Sequence, residues 1–370
     1  MSIYYIGFIS AVFFLYCANC NISYGKYTSI TKVVFVFLSM MPLVILATFR
    51  DTSVGKDVAI YIKPLFELAC WRDSYVDFMK VQSYEIIYAT ITYIVSTISH
   101  NINVLFGVFE IVMLIPTYYF IWHYKKYVSV PIVLLSFCFL FYAYTYNTVR
   151  QYMAMAMVMI AYTFLEHREY FKSYIFLILA IGFHTSAFVC LIIPLLHWLI
   201  TGRKSFKYKR GLISLLTILV YVIAINYNVI FRIVGTYLTF IPRRYLSNMY
   251  MISGKMDLPY ANIVVAGIAI IVSIIVCYKE KRDSDMWMLF MCLIAFSGNV
   301  IAIYATFVQR IMWYFQIYYI VAMGRGSCVL KNSSAKKYIY DSWIIVVCFM
   351  YWIYTYVLGH AAEIYPYKFI

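Results

Sequence analysis

Apolar residues in this chain fall in long blocks, and the blocks set the first expectation. They run roughly 3–17, 30–48, 102–122, 128–146, 149–165, 171–182, 186–200, 212–230, 260–278, 286–305, 309–324 and 340–358. Most approach the length of about 20 residues that a helix needs to cross a bilayer. The pattern therefore predicts an all-α polytopic membrane protein with about twelve transmembrane helices, all in one integral membrane domain spanning 1–370. The pair 171–182 and 186–200 is short, and reads either as two thin helices or as one long tilted helix. The first block lacks a basic leader and a small-x-small cleavage site, so it reads as a retained helix. No internal repeat and no disordered linker interrupts the series.

One stretch follows a different rhythm. Over 84–99, Ile87, Ile91, Ile94, Val95 and Ile98 form an apolar stripe, while Glu85, Ala89, Thr92, Ser96 and Ser99 form a polar or small one at the same helical spacing. This predicts a helix lying in the plane of the membrane interface, with Glu85 turned toward a cavity mouth rather than lipid.

Composition agrees with the blocks. The chain is 65% hydrophobic and 12% charged, whereas a soluble domain carries about 25% charged residues. A single soluble core is thereby excluded, and the mean hydropathy is +0.81. The net charge of +15 would suggest nucleic acid in a soluble protein. In a membrane protein it reflects Lys and Arg collected in cytoplasmic loops, so no nucleic acid partner is expected. Arg203, Lys204, Lys207, Lys209 and Arg210 place 201–210 in the cytoplasm. By alternation 279–285, 325–338, Lys125–Lys126 and the 166–172 turn fall on the same side. Both termini and the long segments 49–101 and 231–259 then lie outside, and both segments carry cations, as an anionic ligand or lipid head groups would require. The nine cysteines sit mostly in apolar blocks, and Cys17-Ala-Asn-Cys20 ends a membrane helix without a βαβ pattern, so neither indicates redox chemistry.

Several constellations carry possible chemistry. Arg50-Asp51-x-x-Val54-Gly55-x-Asp57-x-x-x-Tyr61 follows the second helix. A tight turn at Gly55 can bring Arg50 and Asp57 together. The guanidinium is a planar fork for phosphate oxygens, and the carboxylate can accept a proton from a hydroxyl. From spacing alone, an Arg–Asp pair that merely fixes the loop is the simpler account. Asn147-x-x-Arg150-Gln151 opens the fifth helix, putting Arg150 about a turn inside an apolar segment. An ionisable group there points to function, with snorkelling as the alternative. His184, in Gly182-Phe183-His184-Thr185-Ser186-Ala187, is either a base or hydrogen-bond donor, or a structural histidine. Arg310, Tyr314 and Tyr318 share one face of the eleventh helix by their spacing. Asp283-Ser-Asp285 has the spacing of a nucleotide-sugar motif, but it sits alone on a short turn. There is no Walker loop, no strand-borne GxGxxG and no zinc spacing, so neither metal nor cofactor is expected. The 40 tyrosines and 28 phenylalanines serve mostly belts and packing, and some can stack on sugars.

Taken in order, Arg50…Val54-Gly55…Asp57…Tyr61, Glu85, Asn147…Arg150-Gln151, Phe183-His184-x-Ser186-Ala187, Arg310…Tyr314-Phe315 and Tyr365-Pro366-Tyr367 resemble the EpsG family, a branch of the Wzy-type polysaccharide polymerases. Lys56, where a small or polar residue is expected, is the one departure. The resemblance implies a GT-C-like glycosyltransferase of the bacterial inner membrane, acting on the periplasmic or exterior face in lipopolysaccharide, capsule or exopolysaccharide synthesis. It would move a growing chain from undecaprenyl diphosphate to the next lipid-linked repeat unit. A flippase and a chain-length regulator of the Wzz type are the implied partners. Arg50, Arg150 and Arg310 would stabilise the leaving diphosphate, with Gln151 and Tyr314 beside them and Arg243 and Arg244 holding the second substrate. Asp57, then His184, then Glu85 are the candidates for the base. An O-antigen ligase, a lipid-linked oligosaccharide flippase and a non-enzymatic scaffold are the alternatives.

Overall fold

The structure is a computed structural model described over residues 2–23, 29–202, 206–226, 259–303, 306–330 and 333–370. The expectations for Arg243, Arg244 and most of the 231–259 segment lie outside the described residues. Every apolar block is almost entirely helical where it is described. The helices are α1 (Ser2–Ser23), α2 (Ser29–Thr48), α3 (Lys63–Cys70), α4 (Tyr75–Val81), α5 (Ile86–Ile98) and α6 (Ile102–His123). There follow α7 (Val130–Leu140), α8 (Tyr144–Asn147), α9 (Val149–Glu166), α10 (Tyr170–Phe183), α11 (Ile193–Thr201) and α12 (Phe206–Ile225). The last are α13 (Pro259–Glu280), α14 (Asp283–Ala302), α15 (Thr306–Gln316), α16 (Tyr318–Val329) and α17 (Ser334–Trp352), which continues as a wider turn over Ile353–Leu358. Among the described residues six helices are long and apolar enough to cross a membrane, within α1, α2, α6, α13, α14 and α17. The chain is therefore a helical, multi-pass membrane protein.

The other blocks break where their chemistry allows. The block 128–146 is interrupted at 141–143, between α7 and α8. The short pair is not one long helix: α10 stops at His184, whose backbone is extended, and a 3₁₀ segment Thr185–Ile192 follows. Pro194 then opens α11, where its missing N–H costs nothing.

The described chain forms two compact units, Met1–Leu191 with Met323–Ile370, and Ile192–Ala322. In the second, α14 is the hub against which α11, α12, α13 and α15 pack. Its buried polar groups satisfy one another: Gln316 donates to Asn299 at 2.7 Å, and Trp287 donates to Tyr318 at 2.9 Å. The acidic first turn of α14 is structural, because Lys209 pairs with Asp283 and Asp285 is buried. That pair also brings the starts of α12 and α14 to one end of the unit.

In the first unit α1 packs on α2 and α7, α6 lies between α2 and α9, α10 packs on α9, and α17 packs on α7. Its basic loops again share one end. Tyr124 donates to Glu166 at 3.2 Å, the His123 and His167 rings meet at 5.1 Å, and Arg325 donates to the Tyr127 carbonyl at 3.1 Å. Four separate segments close the opposite end: the 49–62 loop, α3 to α5, the α8–α9 junction and the C-terminal tail.

Helix α5 has 13 residues, a rise of about 20 Å, which is too short for a bilayer core of about 30 Å. Its small and polar stripe turns inward. Ala89, Thr92 and Ser96 are buried, whereas Ile94 and Ile98 are exposed. The helix packs on α3, α6 and α10. The approach to α10 depends on Gly182, where an added Cβ would fall 2.5 Å from Ile87 Cδ1.

Candidate active site

The closed end is organised around Arg150. Its helix α9 begins at Val149, so Arg150 lies in the first turn and not a turn deeper as the apolar block suggested. A cation at a helix N-terminus opposes the helix dipole and needs a compensating anion. Glu85 supplies it: Arg150 Nη1 donates to Glu85 Oε2 at 2.8 Å, with the two side chains 20% and 7% exposed. Three tyrosine rings surround the guanidinium. Tyr61 and Tyr84 have their centroids 5.0 Å from Cζ, and Tyr88 lies at 5.9 Å. Such faces attract a cation without consuming its N–H groups. Among the described residues, Glu85 is the group to which the guanidinium donates. The arrangement is a fixed cation with donors to spare.

Glu85 itself is fully engaged. Its other oxygen, Oε1, accepts from the Thr185 backbone N–H at 3.3 Å and faces the Thr185 hydroxyl at 3.5 Å. Burial pushes its carboxyl up, but the Arg150 charge and the hydrogen bonds outweigh this and hold it below the ordinary carboxylate range. A carboxylate so stabilised is a poor proton acceptor. The structure thus moves Glu85 from candidate base to the group that positions Arg150.

His184 is also constrained. Its Nδ1 accepts from the Ser186 backbone N–H at 3.1 Å and lies 3.0 Å from the Ser186 hydroxyl. A backbone N–H can only donate, so Nδ1 carries no proton and the neutral ring holds its proton on Nε2. The lone pair that a base requires is occupied, and the ring is a donor through Nε2.

Asp57 remains. Its backbone N–H donates to the Asn147 side chain at 3.2 Å, tying the 50–57 loop to the α8–α9 junction. The half-buried carboxylate lies within electrostatic range of both Arg150 and Tyr88.

Arg50 departs from the expectation. It forms no ion pair with Asp57, although Gly55 does make the turn. The Arg50 side chain is 2% exposed and sandwiched between Phe106 and Tyr146, whose ring centroids lie 4.3 and 4.0 Å from Cζ. Its Nε and Nη1 have no hydrogen-bond partner, and neither have the carboxyl oxygens of buried Glu110. Arg50 and Glu110 are within electrostatic range of each other, so each offsets part of the other's burial. Aromatic faces on both sides draw the guanidinium into the core, away from Asp57.

The loop is held on three sides. Asn103 donates to the carbonyls of Thr48 and Arg50 at 2.7 and 3.0 Å. The C-terminal tail crosses it: Asp51 N–H donates to the Lys368 carbonyl at 2.9 Å, Gly55 N–H to the Glu363 carbonyl at 3.1 Å, and Arg50 bridges to Phe369. Tyr367 and Tyr4 anchor this strap through the Leu46 and Ile364 carbonyls, at 2.8 and 2.9 Å. Gly55 has φ +99°, and a Cβ there would stand 2.8 Å from the Tyr146 carbonyl oxygen. Strain of this kind costs about 1–3 kcal/mol. Gly55→Ala should therefore release the loop, and trypsin should cut at exposed Lys56 several times faster while the inserted protein remains at wild-type level. Unchanged cleavage would show that the turn does not need glycine.

The remaining candidates sit apart from this centre or in the second unit. Gln151 is buried on α9, about 100° around the helix from Arg150. In the second unit Arg310 is exposed, whereas Tyr314 and Tyr318 are each 1% exposed. The helix breaks at Ile317, between α15 and α16, so Tyr318 does not continue the face that Arg310 and Tyr314 begin. Sequence reasoning missed Tyr84, Tyr88, Thr185, Asn103 and Glu110. The first two follow Arg150 only in space, and only Glu110 carried a signal, as a lone carboxylate inside an apolar block.

Fold and site together define a polytopic helical membrane protein with a caged arginine–carboxylate centre at one end. The model of the EpsG family matches residues 33–369, nearly the whole chain. The chain belongs to the EpsG family, which comprises Wzy-like polysaccharide polymerases, and is a membrane protein of polysaccharide-polymerase type. No curated protein and no solved structure matches it.

Proposed function

We propose that the protein polymerises lipid-linked oligosaccharide repeat units on the extracytoplasmic face of a bacterial inner membrane. The growing chain leaves undecaprenyl diphosphate and joins the next lipid-linked unit. An acceptor hydroxyl oxygen attacks the anomeric carbon, the bond from that carbon to the diphosphate oxygen breaks, and the diphosphate leaves with the electron pair. The hydroxyl proton passes to Asp57. Arg150 meets the charge developing on the diphosphate, where fixed donors in a partly dry site act most strongly. Glu85 holds the guanidinium in place, and His184 Nε2–H donates to a sugar or phosphate oxygen. With guanidinium groups in this role the scheme asks for no metal. Arg50 shapes the loop from within the core. Arg310, Arg243 and Arg244 are assigned to the second lipid-linked substrate, and a flippase and a chain-length regulator complete the pathway.

The observation that carries this reading is the Arg150–Glu85 pair, 2.8 Å apart inside a tyrosine cage, in a member of a polymerase family. Deleting the gene tests it. Cells should still export single repeat units, and the polysaccharide ladder should collapse to acceptors bearing one unit. Loss of the single unit as well would identify a flippase. Retention of long lipid-linked chains that never reach their final acceptor would identify a ligase.

A further inference from the structure

Beside the Arg150 centre runs a groove that the transfer chemistry leaves unused. It has a volume of about 610 Å³. One wall is a face of α3, where Lys63, Glu67, Cys70 and Trp71 recur at helical spacing, and the other is the turn between α5 and α6 at His100 and Asn101. Trp71 is 83% exposed. It lies in a turn and is followed by the polar residues Arg72, Asp73 and Ser74.

We propose that this groove is a glycan subsite, in which a sugar ring of the polymer or repeat unit stacks on Trp71. The chemistry of the lining selects that ligand. A flat indole presents the apolar face that the C–H side of a pyranose covers, and its N–H remains available at the edge. Lys63 and Glu67 stand 3.9 Å apart and cancel each other's charge, so the groove carries no net cation for a diphosphate. Asn101 lines the groove, and its side-chain oxygen accepts from Asn103 N–H at 3.0 Å. The His100 side chain is exposed and lines the groove. Donors and acceptors without net charge, around one exposed aromatic face, suit hydroxyls.

Its position suits a polymer. Helix α3 starts two residues after Tyr61, Ile62 intervening, and its eight residues rise about 12 Å. The groove thus lies a few sugar residues away from the guanidinium that Tyr61 covers. A subsite at that distance would grip the chain away from the reacting bond and set how long it stays bound between transfers. The identity of the ligand rests on the polymerase reading above.

Cys70 provides a native probe, since it lines the groove and is only half-buried. The purified protein in lipid nanodiscs would be alkylated with iodoacetamide, and each cysteine followed by peptide mass spectrometry. The ligand would be oligosaccharides of two or more repeat units, released from the source strain's own surface polysaccharide. They should slow labelling of Cys70 and leave Cys17 and Cys20 unchanged. Trp71→Ala should weaken that protection by about tenfold, whereas Trp71→Phe keeps most of it. In cells Trp71→Ala should shorten the polysaccharide while single transfers continue. Cys70 labelling unaffected by oligosaccharide, or protection undiminished in Trp71→Ala, overturns the subsite. Loss of membrane-inserted protein with protection retained would make Trp71 a membrane anchor instead, and also overturns it. Protection of Cys70 by a protein whose deletion leaves long chains intact supports the subsite and sinks the polymerase reading, so the two failures are distinct.

Discussion

Replacing Arg150 by alanine should lower polymer formation by roughly a hundredfold, the effect of losing about 3 kcal/mol of transition-state stabilisation. The ladder should collapse to single units although repeat units are still exported. The variant has a second consequence. Glu85, 7% exposed, would be left as a buried carboxylate without its cation, and breaking a buried pair from one side is strongly destabilising. Arg150→Ala/Glu85→Gln removes that complication, because the neutral amide needs no partner charge. It should insert at the wild-type level and remain as inactive as Arg150→Ala. Glu85→Gln alone should cost less, on the order of tenfold, since it loosens Arg150 without removing it. The two losses should not add, as expected for residues that act through one another. Arg150→Lys should recover part of the activity, because lysine supplies charge without the bidentate fork. An Arg150→Ala/Glu85→Gln protein that inserts normally and builds full-length chains would remove the caged arginine from the mechanism.

How much of this was readable from the chain depends on the range of the interaction. Helical blocks and the inward stripe of α5 are local, so Ala89, Thr92 and Ser96 announced their burial through period alone. Loops assigned to one side by their lysines and arginines do meet, as Lys209 with Asp283 and Tyr124 with Glu166 show. Helix ends were less legible. Apolar composition continues through Phe141 and Ile317, where the backbone nonetheless turns. The site was half legible. Arg150, Glu85, Asp57, Tyr61 and Asn147 were each visible as polar or aromatic residues out of place. Their pairing joins segments 65 and 90 residues apart, and spacing holds no information about that. Arg50 was misplaced for a physical reason. Seven residues after Arg50 the chain does carry a carboxylate within reach of a tight turn, Asp57, but two aromatic faces from α6 and α8 compete for the guanidinium and win. The tail was visible as Tyr365-Pro366-Tyr367, yet nothing local indicated that its backbone would clamp Asp51 and Gly55.

Asp57→Asn should be as damaging as Asp57→Ala, with losses of roughly 10²–10⁴-fold, the range over which a positioned general base acts. The proposal puts the base at this residue because the other two candidates are engaged elsewhere. Glu85 is held ionised by Arg150 and has both oxygens occupied. His184 has its only lone pair engaged by Ser186. Asparagine preserves the shape of Asp57 and the backbone N–H that reaches Asn147, but it cannot take a proton. Asp57→Glu should recover part of the rate, since the carboxylate is kept and displaced by one methylene. Asn147→Ala separates positioning from chemistry: it loses the 3.2 Å contact to the Asp57 backbone and should cost far less than Asp57→Asn. The measurement is the initial rate of chain growth with lipid-linked repeat units and protein in nanodiscs, normalised to inserted protein. If Asp57→Asn keeps the rate within a few-fold of wild type while Asp57→Ala loses it, the residue shapes the loop beside Arg150, and the hydroxyl gives up its proton elsewhere.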